Sequence, residues 1–367
     1  MKILHIITGL HKSGAEQNLY YLVSEDKEKQ HVVVSLLPKS YYGYKLEKKK
    51  IKVFYLNLNN KKKFFNELKK LFLIIKIEKP LIVQTWMYHA DIIGGFLARI
   101  AGNKNIVWNI RSSFLNFKKL KIKHRTIYYI HITLSNIIPK KIITNSNSAI
   151  NFHKFLFNKN KFILINNGFK NPKYDNVISL SNKIFTIGHF ARFDPQKNHL
   201  MILEMAEILK LQNVKYKLFL FGRNVNFSNS FFKEKIYEKN LQENIELFDE
   251  VVDVNTYYKK CDCVVSTSIY GEGFPNVLAE AMNNGVVCLS TNIGESLKIV
   301  KEKNRIFDNL SDLVSKIIEL KKVKDENPSE WLVLKNQCKT HIRKNFSIKK
   351  MIKNYHFVWN KIKKKKS

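Results

Sequence analysis

Short apolar runs alternate with longer segments whose apolar positions recur every three or four residues, and this rhythm persists along most of the chain. Runs of roughly four to eight residues rich in β-branched and aromatic side chains read as buried strands; longer amphipathic stretches read as covering helices. Strand and helix in regular alternation give parallel sheets faced by helices. In the first half Ile3–Ile7 reads as a strand, the residues from Gly9 to Gly14 as a loop and Ala15–Val23 as a helix. Further strands are predicted at Val32–Leu37, Val53–Leu56, Ile82–Gln84, Ile106–Ile110, Ile142–Asn145 and Phe162–Ile165. Asn171–Lys183 is polar and without periodicity, and is the expected linker. Beyond it strands are predicted at Phe185–His189, Lys217–Phe221, Ile245–Phe248, Cys263–Thr267 and Val286–Ser290. Helices are predicted there at His199–Lys210, Phe232–Lys239, Asn255–Lys260, Asn276–Asn283 and Leu310–Lys321. Both halves read as doubly wound α/β sheets, in which ligands bind at the carboxyl ends of the strands. With two such sheets facing each other, the cleft between them is the expected site.

Composition narrows the class. A chain of 367 residues suits two domains, and 12% aromatics is too many for a disordered one. The best apolar run, Leu71–Ile77, is broken by Lys76 and falls short of the roughly 18–20 residues of a membrane span. Near the start Ile3–Leu10 contains His5, lacks a small-residue cleavage site and is followed by Lys12, so a secretory signal is not expected. Cys261, Cys263, Cys288 and Cys338 form no C-x-x-C pair and read as buried, reduced thiols. The expectation is a soluble cytoplasmic chain.

Charge adds a bias. The formal net charge is +34, and residues 1–180 hold 32 basic and 9 acidic side chains against 32 and 21 in the remainder. No acid occurs between Asp91 and Asp175, whereas Lys118, Lys119, Lys121, Lys123 and Arg125 crowd one stretch. Lys48–Lys50, Lys61–Lys63 and Lys363–Lys366 form further clusters. Such a field attracts an anionic membrane leaflet or nucleic acid, or it is a solvated lysine-rich surface; charge alone does not decide.

Two strand-end loops carry candidate chemistry. Tyr270-Gly-Glu-Gly-Phe-Pro-Asn-Val-Leu-Ala-Glu-Ala-Met282 follows a strand and opens a helix, with Pro275 suited to the first helical position. Glu272 and Glu280 would line one crevice, Gly273 admits close backbone approach, and the helix start favours anions. The same stretch also reads as a capped turn with one exposed and one paired glutamate. In Gly188-His-Phe-Ala-Arg-Phe-Asp-Pro-Gln-Lys-Asn198, Arg192 and Lys197 flank an Asp-Pro turn and can converge on one anion, or stand as solvated loop cations. Gly9-Leu-His-Lys-Ser-Gly-Ala-Glu16 looks like a phosphate-cradling turn but is not G-x-G-x-x-G.

Together these stretches resemble the retaining, GT-B-fold glycosyltransferases of family four, which build bacterial surface polysaccharides and lipopolysaccharides. The likeness runs in order from Ile3–Glu16 through Gln84–Asp91, Trp108–Ser113, Leu134–Pro139, Ile143–Ser146 and Asn166–Phe169. It continues through Gly188–His199, Gly222-Arg223, Glu272–Glu280 and Ser290–Ser296 to Phe346–Ile348, and the E-x7-E spacing is its most specific part. The resemblance implies two Rossmann-like domains facing a cleft: 1–175 on the acceptor side, 176–345 binding the nucleotide-sugar, and 346–367 returning to the first. It implies transfer from a nucleoside-diphosphate sugar, by family frequency a UDP-linked hexose or N-acetylhexosamine, onto a lipid-linked saccharide with retention of configuration. Glu280 would accept from ribose hydroxyls, and Arg192 and Lys197 would hold the diphosphate. Glu272, with the backbone of Gly273, Phe274 and Pro275, would contact the sugar. Gly14 would let a loop close over the donor, and His89 would sit near the sugar or else be a satisfied core histidine; Arg111 is placed near the acceptor.

Two cations and a helix N-terminus can stabilise a departing diphosphate. There is no D-x-D motif or His/Asp cluster, so neither metal nor cofactor is expected. Ser13 stands where the family often has glycine, Asn292 replaces a frequent Asp, and the stretch after Ser296 lacks a usual glycine. Since both residue pairs are intact, an active enzyme is expected, peripheral on the cytoplasmic face of an anionic membrane. The rivals are a nucleic-acid binder, for which no motif is found, and a non-catalytic scaffold of a polysaccharide assembly.

Overall fold

The computed structural model describes residues 1–111, 122–153, 157–172, 184–251 and 253–364. Outside them lie 173–183 of the expected linker, the boundary at 175/176, Ser112-Ser113, the Lys118–Lys121 cluster and the last two lysines of the tail. The chain divides into two compact units, Met1–Gly168 with the residues from Ile348 on, and Phe169–Ser347.

Unit 1 runs β1 (Lys2–Ile7), α1 (Gly14–Glu25), β2 (Gln30–Ser35), α2 (Tyr41–Lys48), β3 (Lys52–Tyr55), α3 (Phe64–Glu78), β4 (Ile82–Trp86) and α4 (Tyr88–Ile100). It continues with β5 (Ile106–Ile110), α5 (Ile122–Ile137), β6 (Lys141–Thr144), α6 (Asn147–His153) and β7 (Phe162–Leu164). The seven strands form one parallel sheet in the order β3-β2-β1-β4-β5-β6-β7, with Ile3 of β1 beside His31 of β2 and Ile82 of β4. Because side chains alternate along a strand, the sheet has two apolar faces. Leu4, Ile6, Val32, Val34, Val83, Ile106 and Trp108 pack under α3, α4 and α5. Ile3, Ile7, Val33, Ile82, Trp86 and Val107 pack with α1, α2 and residues of the terminal helix. That helix is held by more than apolar contact: Trp359 Nε1 donates to Gln84 Oε1 (3.0 Å) and Asn109 Nδ2 to the Tyr355 hydroxyl (2.8 Å).

Unit 2 runs β8 (Phe185–Phe190), α7 (His199–Leu211), β9 (Tyr216–Phe221), α8 (Ser230–Glu238), β10 (Ile245–Phe248), α9 (Val254–Tyr258) and β11 (Cys263–Ser266). Then come α10 (Asn276–Asn283), β12 (Val287–Ser290), α11 (Ser296–Val300), α12 (Leu310–Glu326) and α13 (Pro328–Asn345), and in unit 1 the terminal α14 (Ile348–Lys364). Its five parallel strands are ordered β10-β9-β8-β11-β12, so the order reverses between β8 and β11. That pair is the switch point where a doubly wound sheet opens a crevice for ligands. All four cysteines are buried and free. Among the described residues no helix is long and apolar enough to cross a membrane.

Candidate functional site

The loops leaving β8 and β11 meet in one polar group of unit 2. After β8, Asp194 Oδ1 accepts from the Gln196 amide (2.9 Å) and starts a 3-10 turn over Pro195–Lys197. Asn198, with φ +49°, reverses the chain into α7. Thr267 Oγ1 donates to the Lys197 carbonyl (2.7 Å) and the Ile269 amide to the Gln196 carbonyl (3.0 Å), so the segment after β11 is stitched to this turn. The stitching brings Lys197 to Glu272, with which it forms an ion pair. Gln196 Nε2 (3.3 Å) and Ser268 Oγ (3.1 Å) donate to the same oxygen, Glu272 Oε1. Arg192 grips Asp194 Oδ2 through Nε (3.2 Å) and Nη2 (3.0 Å) while its side chain stays 47% exposed. Burial opposes ionisation of Asp194, but the Gln196 amide and Arg192 outweigh it and hold the carboxyl below its ordinary value.

Two glycines underlie these loops. A Cβ on Gly222 (φ +142°) would lie 2.2 Å from the Ala191 carbonyl oxygen, and one on Gly294 (φ +65°) 2.5 Å from the carbonyl oxygens of Glu272 and Gly273. The peptides that carry Arg192 and Glu272 thus rest directly on residues without side chains. The Glu295 amide donates to the Gly273 carbonyl (3.0 Å), fixing the second loop further. Phe274 turns inward and stacks on Phe169, with centroids 6.0 Å apart. Pro275 is the N-cap of α10 rather than its first helical residue: its ψ of 92° is extended, and helical geometry begins at Asn276. On α10, Glu280 Oε2 accepts from the Tyr258 hydroxyl (3.1 Å). Burial first, and the neighbouring Glu280 second, push the Tyr258 phenol well above its ordinary value, so it is a neutral donor. Behind the loops, burial holds His189 well below the usual imidazole range and pulls His199 down to about 4.

The structure therefore brings Lys197 and Glu272 together, places Arg192 on the same turn, and gives Glu280 a separate partner. In unit 1, Gly14 opens α1 and is exposed, with Ser13 Oγ donating to Glu16 Oε2 (2.5 Å) across the turn. His89, exposed in the first turn of α4, follows Met87, a non-glycine residue at φ +70°. Arg111 donates to Asn167 Oδ1 (2.5 Å) and to the Tyr355 hydroxyl (2.8 Å), with its guanidinium 4.8 Å from the Trp86 ring centre. Sequence reading did not single out Gln196, Ser268 or Tyr258. Gln196 and Tyr258 become partners by the meeting of separate segments and Ser268 by the folding of the Glu272 loop on itself, although Gly222 and Gly294 fall inside segments that the resemblance had marked.

Residues 171–331 match the sequence model of glycosyl transferases group 1. The chain carries a group 1 glycosyltransferase domain. That domain contains Arg192, Lys197, Glu272 and Glu280 and all five strands of the second sheet. Among curated relatives, a UDP-Gal:alpha-D-GlcNAc-diphosphoundecaprenol alpha-1,3-galactosyltransferase of Escherichia coli is 23% identical over 77% of this chain and 76% of its own length. The capsular polysaccharide biosynthesis glycosyltransferase CapM of Staphylococcus aureus is 24% identical over 64% of this chain and 66% of its own. Among solved structures, Anabaena Alr3699/HepE in complex with UDP superposes with a TM-score of 0.81 at 18% identity, over 98% of this chain and 100% of that one. A glycosyltransferase from Rickettsia africae gives a TM-score of 0.80 at 20% identity, over 100% and 99%. The fold around the group 1 domain is GT-B, as the sequence resemblance implied. Among the described residues no group of three or more His, Cys, Asp or Glu side chains is arranged to hold a metal ion.

Proposed function

We propose that this glycosyltransferase moves a hexose or N-acetylhexosamine from a UDP-sugar to a lipid-linked saccharide in bacterial surface glycan synthesis, with retention of anomeric configuration, at the cytoplasmic face of an anionic membrane. The observation that carries the donor half is the pairing of Lys197 with Glu272 at the β8/β11 switch point, on the turn that also bears Arg192. The UDP complexes of a fold neighbour support a UDP-linked donor, and the diphosphoundecaprenol acceptor named for the Escherichia coli relative supports a lipid-linked one.

In this reading Lys197 and Arg192 meet the diphosphate. An ammonium has three donors, so Lys197 can keep Glu272 and still donate to phosphate oxygens. As the sugar–phosphate bond lengthens, negative charge collects on the diphosphate, and the two cations with the first-turn amides of α10 stabilise it from fixed positions. Glu272, oriented by Gln196 and Ser268, takes the sugar hydroxyls together with the backbone of Gly273, Phe274 and Pro275, and Glu280 takes the ribose. Gly14 and His89 keep the donor-side roles that the resemblance implies.

The test is nucleoside-diphosphate release by the purified chain from UDP-, GDP- and ADP-sugars with membrane-extracted lipid-linked acceptors, with and without a chelator. One UDP-sugar should support release, with the chelator indifferent. Lys197→Ala should lower the rate by about a hundredfold or more, the scale of one preorganised charge-stabilising donor. Silence across the panel together with no measurable binding of UDP or GDP would sink the reading.

A further inference from the structure

We propose that the outward face of α3, α4 and α5 is a docking surface for an anionic lipid bilayer. The proposal rests on the reading of the acceptor as lipid-linked, and it names the part of the chain that meets the lipid.

The three helices lie side by side, with α4 between α3 and α5, over one face of the unit 1 sheet. Their inner sides supply core residues such as Leu71, Ile75, Ala98 and Tyr128. Their outer sides are also apolar, which is unusual for helices in water. On α3, Phe65 (81% exposed), Leu73 and Ile77 (74%) recur at helical spacing; Phe96 and Ile100 do so on α4. On α5, Ile122 (80%), Tyr129, Ile130 and Ile137 continue the band. Large side chains exposed singly are ordinary; a band of them across three adjacent helices marks a contact surface.

The charges set among them select the occupant. Lys62, Lys63, Lys69, Lys70 and Lys76 are exposed on and just before α3, and Arg99 on α4. The acids of these helices are Glu67, Glu78 and Asp91, and all three are buried: Glu67 beside Lys70, Glu78 beside Lys2 and Lys52, Asp91 beside His131. The outer face therefore presents aliphatic and aromatic groups with cations and no exposed carboxylate. A second copy would bring the same basic face against itself. Nucleic acid would satisfy the cations and leave the isoleucines, which do not stack on bases, in water. A bilayer with anionic headgroups accepts both, the side chains at the acyl boundary and the lysines at the headgroups.

The experiment is co-sedimentation of the full chain with vesicles of phosphatidylcholine alone and of phosphatidylcholine with phosphatidylglycerol in equal parts. The chain should partition to the anionic vesicles. Lys69→Gln with Lys76→Gln should weaken that partition by about thirtyfold, near the value for two lysines at an anionic surface. Phe65→Ser with Ile77→Ser should weaken it by on the order of tenfold. Leu211→Ser with Lys322→Gln, exposed sites in unit 2, should leave it unchanged. Thermal midpoints and UDP binding, measured in parallel, should not move in any variant, so lost vesicle binding is separable from misfolding and from failure of the donor site. Equal binding to neutral and anionic vesicles, or partition indifferent to both α3 pairs, overturns the proposal. So does sedimentation velocity showing a dimer that the α3 variants dissolve, since the face then belongs to a second copy.

Discussion

The two units use their acidic residues in opposite ways. Of the eight described acids in unit 1, five are buried (Glu16, Asp26, Glu67, Glu78 and Asp91); of the 21 in unit 2, only Asp262 and Glu295 are. Unit 1 turns its carboxylates inward onto specific partners: Asp26 onto His31 and His356, Glu78 onto Lys2 and Lys52. Unit 2 leaves its acids outside, in helical pairs such as Lys235–Glu238, Lys316–Asp312 and Lys322–Glu326, each contributing little to stability. Even buried, Glu67 and Glu78 pair with lysines that reach the surface, Lys70 and Lys52, and so offset part of the charge outside. What differs is the make-up of the surface: unit 1 shows few carboxylates among its lysines, and unit 2 shows many.

The largest effect that separates them should be acid sensitivity. Burial, and then His31, hold His5 of unit 1 well below the ordinary imidazole range; unit 2 has His189, His199 and His341 lowered, each first by burial. A histidine whose folded pKa lies below its unfolded value near 6.5 contributes stability fully above that pH and loses it on acidification. For His199, at about 4, the loss amounts to about 3 kcal/mol by the time pH reaches its folded value. Asp26 works in a lower window. Burial opposes its ionisation, but hydrogen bonds from His31, His356 and the Glu28 amide overcome that and hold the carboxyl well below its ordinary value. Its contribution persists down to a pH of about 4 and is lost below. Hydrogen exchange should show unit 2 peptides losing protection mainly between pH 7 and about 4, and unit 1 peptides losing further protection below about 4, where Asp26 titrates. Simultaneous softening of both units would break the comparison.

Next in size is the backbone beneath each site. Unit 2 places glycine where φ is positive under Glu272, whereas unit 1 places Met87 at φ +70° and ψ 158°, two residues before His89. That region is essentially reserved for glycine, and a larger residue held there stores about 1–3 kcal/mol. Gly294→Ala should destabilise unit 2 by a similar amount and weaken UDP binding, because the Glu272 loop must shift. Met87→Gly should instead leave stability level or raise it by up to about 1 kcal/mol, strain relief being partly offset by glycine's entropy. Denaturant midpoints measure both, and equal destabilisation would show that Met87 is not strained.

All twelve strands of the described residues were legible in the sequence, several to within a residue, because a strand buried on both faces is a continuous apolar run. The Asn276–Asn283 helix was read to its ends. Helices α2 to α6 were not individually placed, since in a lysine-rich half the polar face carries little contrast with a loop. The apolar outer band of α3 to α5 compounds this by blurring the amphipathic signal. Of the donor-side residues, the loops were legible as motifs, while Tyr258 and Ser268 acquire partners only through folding: one lies 22 residues from Glu280, and the other bonds Glu272 within a loop.

The smallest expected effect tests that last point. Removing the Tyr258 hydroxyl leaves Glu280 without one donor, and a hydrogen bond to a charged group contributes about 1.5–3 kcal/mol at most when fully buried. Glu280 is only half-buried, so Tyr258→Phe should raise the KM for the donor by roughly threefold to tenfold. kcat should hardly change, because ribose contacts are the same in ground and transition states. A 2′-deoxyribose donor should be handled alike by the parent chain and the variant, since the contact that Tyr258 orients is then absent from both. The matched change in unit 1 is Tyr355→Phe, whose hydroxyl accepts from Asn109 and Arg111 inside the sheet–helix interface. There the loss takes an acceptor from buried Asn109 and half-buried Arg111, so stability should fall while donor KM holds. If instead Tyr258→Phe lowers kcat at constant KM, Glu280 acts on the reacting sugar and not on the ribose, and the division of labour between Glu272 and Glu280 must be redrawn.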